Sequence, residues 1–136
     1  LAVLLPVVAG PSGNAGAQAL AVTMRGLALR EITVRQWLRV VRKEVAAGLI
    51  NGVGIAVTCG VGVWFWSGSA GLVAVIVSSM ILAMVAAGFA GALIPILLTR
   101  LGQDPATSSS IILTTVTDIA GFFSFLGIAT LMMQFL

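Results

Sequence analysis

The sequence holds four acidic residues, Glu31, Glu44, Asp104 and Asp118, and only Asp118 stands well inside an apolar stretch. From Ile111, where that stretch becomes continuously apolar, Asp118 is seven residues on, about 10 Å at 1.5 Å per residue. An aspartate at such depth in hydrocarbon costs about 2.5–3.5 kcal/mol, so it belongs on a face turned to protein, water or an ion. Thr107, Ser110 or Ile111, Thr114, Asp118 and Gly121 follow the three- and four-residue spacing of one helical face, with Thr115 and Thr117 flanking it. A structural aspartate bonded to a serine or threonine of a neighbouring helix is the alternative reading.

A second polar constellation lies near the start of the chain. Pro6, Gly10, Pro11, Gly13 and Gly16 interrupt an apolar run, and Asn14 and Gln18 stand one turn apart on the same face. Proline removes an amide donor and displaces the carbonyl four residues back. The expected result is a broken helix whose freed carbonyls line a watery cavity, as in cation-binding discontinuous helices. A proline kink held by the two amides is the other reading. A carboxylate with amide, hydroxyl and carbonyl oxygens is a ligand set for hard cations. Soft-metal ligands are scarce, with one cysteine, Cys59, no histidine and five scattered methionines. Hydrated Mg²⁺ suits such a set because it keeps several waters, and a proton or sodium site uses the same parts.

The elements that must position these residues are membrane helices. Of 136 residues, 60% are hydrophobic and 8% charged, whereas a soluble domain is about one quarter charged. The mean hydropathy is +1.17. The fold class expected is an all-α integral membrane protein, a single transmembrane domain over residues 1–136. Four stretches reach the roughly 20 apolar residues a span needs: about 1–29, 44–66, 70–98 and 106–136. No stretch alternates as a barrel strand does. The lone cysteine excludes a disulfide framework and, without histidine, a Cys/His zinc site.

Six of the seven basic residues, Arg25, Arg30, Arg35, Arg39, Arg42 and Lys43, crowd around residues 30–43. This segment reads as an amphipathic linker on the cytoplasmic surface, a topological signal with no role in binding nucleic acid. Trp64, Phe65 and Trp66 then mark the far interface and Ser67–Ser69 the outer turn, while Arg100 to Pro105 returns to the cytoplasm. The chain begins at Leu1 inside an apolar run without a charged flank, which reads as part of a longer polypeptide. Gly48-Leu-Ile-Asn-Gly52 and the series Ala83, Ala87, Gly91 are small-residue faces for helix packing, with a dimer face as the sharper alternative.

Three blocks, in order, resemble the signature of the MgtE magnesium channel and transporter family. They are Pro6-Val-Val-Ala-Gly-Pro-Ser-Gly13-Asn14-Ala-Gly16-Ala-Gln18 with Val22-Thr-Met-Arg25, then Gly91-Ala-Leu-Ile-Pro95 through Leu101-Gly102-Gln-Asp104-Pro105, then Thr115-Val-Thr-Asp118-Ile-Ala-Gly121. The resemblance implies helices two to five of a five-helix domain, a homodimeric pore in the inner cell membrane, and Mg²⁺ as the transported ion. It further implies an upstream cytosolic regulatory domain. Asp118 matches the family's metal ligand, and Gly13, Asn14, Gly16, Ala17 and Gln18 match its pore-lining motif, with Thr114 and Thr117 beside Asp118. Some members carry asparagine where this chain has Ala17.

Other functions remain in view. A small four-helix proton-coupled drug exporter has a similar size, but its acid is expected in the first helix and here it is in the fourth. A structural membrane subunit would leave Asp118 unexplained. An intramembrane protease is disfavoured, since there is no histidine for a Ser/His pair and a single intramembrane aspartate cannot form a dyad within one chain. The chain is therefore read as a transporter and not an enzyme.

Overall fold

A computed structural model describes residues 2–133; Leu1 and residues 134–136, the outer ends of the first and last expected spans, lie outside the described residues. Four long helices account for nearly all of it: α1 (Leu5–Ala28), α2 (Trp37–Ser67), α3 (Ala70–Arg100) and α4 (Pro105–Leu131). Short 3-10 turns occupy Ala2–Leu4 and Val34–Gln36. The tight connections α2–α3 and α3–α4 use Gly68 and Gly102 in the left-handed region, at φ of +64° and +74°, where a side chain would be strained. Asp104 caps α4 by accepting the Ala106 amide at 2.9 Å.

The helices alternate in direction, and α3 is the hub. It is the most apolar, 44% of its best spanning window is buried against 22% for α2 and for α4, and it packs on α2, α4 and α1. Its sequence explains this double duty. Val75, Ser79, Ala83, Ala87, Gly91 and Pro95, spaced by four, form one buried stripe; Ile76, Met80, Met84, Gly88, Ala92 and Ile96 form the next. The first stripe meets α1 and α4, with Gly91 on Gly16 and Ala19 and the Ser79 carbonyl accepting from Ser124 Oγ at 3.4 Å.

The second stripe meets α2, whose buried residues also recur every four: Val40, Glu44, Gly48, Gly52, Ala56 and Gly60. A Cβ on Gly48 would stand 2.6 Å from the Met84 carbonyl oxygen, and one on Gly88 would meet the Glu44 carbonyl. The small-residue faces thus pack helices within one chain by close backbone approach, which supplies association where lipid gives no hydrophobic drive.

α1 corrects one expectation. It is a continuous helix through Pro11, not a broken one. Pro6 falls in the first turn, where no acceptor needs its amide, and Pro11 removes only the bond to the Val7 carbonyl. α2 also begins earlier than its apolar run. It starts at Trp37, so Arg39, Arg42, Lys43 and Glu44 are helical and Glu44 lies about 10 Å along the helix.

Among the described residues, α2, α3 and α4 are each long and apolar enough to cross a membrane. α1, with its glycines and amides, is not among the three, although its 24 residues reach about 36 Å. The bundle therefore has a basic end, where α1, α2, α3 and α4 place Arg25, Arg39, Arg100 and Pro105, and an aromatic end at Trp64–Trp66.

Candidate functional site

α1 presents two different sides to its neighbours. Its glycine side meets α4: a Cβ on Gly13 would lie 4.0 Å from Thr117 Oγ1, and one on Gly16 would lie 3.1 Å from Thr117 Cγ2 and 3.2 Å from Leu113 Cδ1. Gly121 on α4 is packed against Ala9 and Ser12 in the same seam. Gly16 and Thr117 are fully inside this interface, Gly13 is half-buried, and Ala17, one turn on from Gly13, is exposed.

Asp118 is one residue around α4 from Thr117 and shares a stripe with Thr114 and Gly121. Gly121 touches α1, so that stripe borders the seam, yet the Asp118 and Thr114 side chains are exposed on the outer surface of the bundle. Asp118 makes no hydrogen bond or ion pair among the described residues. The threonines spend their protons on the helix. Thr114 Oγ1 donates to the Ile111 carbonyl at 3.1 Å, Thr115 to the same carbonyl at 2.9 Å and Thr117 to the Thr114 carbonyl at 3.0 Å. What Thr114 offers outward is therefore lone pairs, an acceptor surface beside a carboxylate.

The amide side of α1 faces α2. Asn14 and Gln18 line an open groove of about 510 Å³ together with Pro11, Ala15, Asn51, Gly54 and Met84. The groove continues toward the basic end as a narrower cavity of about 170 Å³, where Gln18 and Asn51 are joined by Val22, Glu44 and Gly88. So the structure brings Gly13, Gly16 and Thr117 together, sets Thr114, Asp118 and Ala17 along the outer edge of that seam, and turns Asn14 and Gln18 into a separate groove.

Two groove residues escape a reading of the sequence alone. Glu44 stands at the boundary of an apolar run, and Asn51 lies inside a small-residue packing motif. The signal that finds them is periodic: Glu44, Ala47, Asn51 and Gly54 recur at three and four along one edge of α2. Among the described residues no cluster of three or more His, Cys, Asp or Glu side chains forms.

Long apolar helices packed in one bundle define a multi-pass α-helical membrane protein. Residues 5–128 match the MgtE family, described as divalent cation transporters. The chain belongs to that family. It is 37% identical over 134 residues to the magnesium transporter MgtE of Thermus thermophilus, covering 98% of this chain and 30% of that protein. The magnesium transporters MgtE of Enterococcus faecalis and Bacillus subtilis are 36% and 35% identical over 135 and 130 residues, covering 99% and 96% of this chain. The chain thus spans about three tenths of the length of these curated relatives.

Proposed function

We propose that this chain is the membrane-embedded, ion-conducting part of a magnesium transporter, in which hydrated Mg²⁺ crosses the inner cell membrane between two copies of the bundle. The observation that carries the reading is Asp118, exposed and unpartnered on the outer edge of the α1–α4 seam. Facing lipid, that carboxylate is costly; facing its symmetry mate across a two-fold axis, it becomes one of two charges that neutralise a divalent ion. Small residues beside it, Gly13 and Ala17, leave room for a hydration shell, and Thr114 adds acceptor lone pairs for the coordinated waters. Selection then rests on the size and charge of the hydrated ion.

The residues given to this path are Asp118 as the ion's acceptor, with Gly13, Ala17 and Thr114 lining it and Gly16 and Thr117 shaping it; Asn14 and Gln18, which the resemblance assigns to the pore, face the α1–α2 groove and are proposed as polar groups on the ion's approach. Gly16 and Thr117 act from the seam, by fixing α4 against α1. The relatives' greater length fits a parent polypeptide with further domains, and the upstream cytosolic regulatory domain implied by the resemblance is proposed as one of them. Lipid surrounds the outward faces of α2 and α4, where Ile50, Val57, Phe65, Ile119 and Phe123 are exposed.

The test is uptake of Mg²⁺ by the intact protein in proteoliposomes, read with an internal indicator. Uptake above that of empty vesicles is expected, and its absence from folded, correctly inserted protein would overturn the proposal; proton-coupled dye export instead would favour the small-exporter reading. In the same assay Asn14→Leu, which replaces an amide on the open groove without entering a packed interface, is expected to lower uptake several-fold while leaving the melting temperature unchanged. Unaltered uptake would return Asn14 to a purely structural role.

Orientation follows from the charge asymmetry, with the basic end in the cytoplasm. With Cys59 replaced by serine, an impermeant thiol reagent added to intact cells should label Ser67→Cys and spare Gln36→Cys. The opposite pattern would invert the topology.

A further inference from the structure

Glu44 is a charged-type side chain near the basic end of the bundle with only 9% of its surface exposed. It lies on the strict four-residue stripe that α2 otherwise fills with Gly48, Gly52, Ala56 and Gly60. Its backbone is pressed on Gly88 of α3, since a Cβ there would meet the Glu44 carbonyl. This close approach fixes the helix and leaves the side chain one place to go, the cavity between α1 and α2 that it lines with Gln18 and Asn51. No hydrogen bond or ion pair engages Glu44, Gln18 or Asn51 among the described residues. Arg42 and Lys43, its neighbours in sequence, are exposed and lie on other faces of α2.

The Glu44 residue is largely buried while its carboxylate oxygens open onto this cavity, and a carboxylate held there without a protein partner favours a compensating cation. The surroundings favour a hydrated cation. The cavity of about 170 Å³ has room for several waters, as a small divalent ion that keeps its hydration shell requires. It opens into the larger groove of about 510 Å³ that carries Asn14. Gln18 and Asn51 stand on opposite walls, one on α1 and one on α2, and their amide oxygens can accept from coordinated waters.

From this geometry we infer a second cation site, distinct from Asp118, in which Glu44 with Gln18 and Asn51 holds one hydrated divalent cation per chain in the α1–α2 groove near the basic end. The choice of a divalent ion rests on the transport function proposed above; the site itself rests on the cavity and its unpartnered carboxylate. The two sites differ in number: Asp118 shared across a two-fold axis holds one ion per two chains, Glu44 one ion per chain.

Mn²⁺ stands in for Mg²⁺ as a spectroscopic probe, counted by electron paramagnetic resonance on the intact protein in lipid nanodiscs. Glu44→Gln should lose one Mn²⁺ per chain, Asp118→Asn one per two chains, and the double variant both. An unchanged count in Glu44→Gln beside a reduced count in Asp118→Asn would overturn the groove site and leave the transport reading standing. A reduced count in Glu44→Gln with Asp118→Asn unchanged would do the reverse. If Glu44→Gln does not fold, Asn51→Leu on the exposed groove wall decides the matter: a several-fold weaker affinity for the per-chain Mn²⁺ supports the site, and wild-type affinity overturns it.

Discussion

Asp118→Asn should abolish Mg²⁺ uptake by the intact protein, by a hundredfold or more, while expression, insertion and dimerisation persist. The substitution keeps the size and most of the hydrogen-bonding capacity of the side chain and removes only its charge. Two such charges, facing each other, are what the proposed path sets against a divalent ion. Without them the ion would shed bulk water for amide dipoles, and at the reduced polarity of a membrane interior each missing charge-assisted hydrogen bond is worth about 1.5–3 kcal/mol. With both carboxylates neutralised at once, the deficit amounts to a factor of about one hundred or greater.

A structural aspartate would behave differently. Asp118 has no partner to lose within the described chain, so a folded Asn variant with full uptake would remove Asp118 from the conduction path. A variant that unfolds would assign it to holding the assembly together. Uptake and thermal melting measured on the same preparation separate these outcomes.

Much of the scaffold is legible in the sequence because membrane helices announce themselves by composition. The stretches near 70–98 and 106–136 are long apolar runs, and α3 (Ala70–Arg100) follows the first closely while α4 begins at Pro105, beside the expected start of the second. Where charge and helix overlap, hydropathy fails. α2 starts at Trp37 inside the basic segment, since arginine and lysine are good helix formers, and so the burial of Glu44 on a helix face is hidden.

The break expected in α1 fails for a related reason. Proline and glycine weaken an isolated helix, but α1 is clamped between α3 and α4, and tertiary packing decides its course. The site is legible in its parts and not in its grouping. Asp118 stands out by depth alone, and Asn14 with Gln18 by their one-turn spacing. That the amides turn to α2 and the glycines to α4 depends on how α1 is rotated in the bundle, and this is set by packing such as Gly16 on Leu113 that no local pattern reveals.

Gly91→Ala should be among the most damaging single-methyl changes in the bundle. A Cβ at position 91 would stand 2.5 Å from the Gly16 carbonyl oxygen, 2.7 Å from Ala19 Cβ and 3.1 Å from the Leu20 amide nitrogen. Two of these three are backbone atoms of α1 and cannot rotate away, so the helix itself must move. Overpacking of this kind costs about 1–3 kcal/mol, and α1 has little in reserve, being the helix that depends most on close approach and least on hydropathy. Gly62→Ala is the control, because a Cβ there meets nothing within 4 Å.

The expected result is a melting temperature lowered by several degrees in Gly91→Ala and unchanged in Gly62→Ala, measured by fluorescence-detected size exclusion after heating. Transport should fall as well, even at temperatures where Gly91→Ala remains folded. Moving α1 off α3 shifts Gly13 and Gly16 against Thr117, and Asp118 is carried on the next residue of α4. If Gly91→Ala melted and conducted like the wild type, the α1–α3 packing would not be the constraint that aligns the two sides of the path, and the position of Asp118 would have to be fixed by α4 and a partner chain alone.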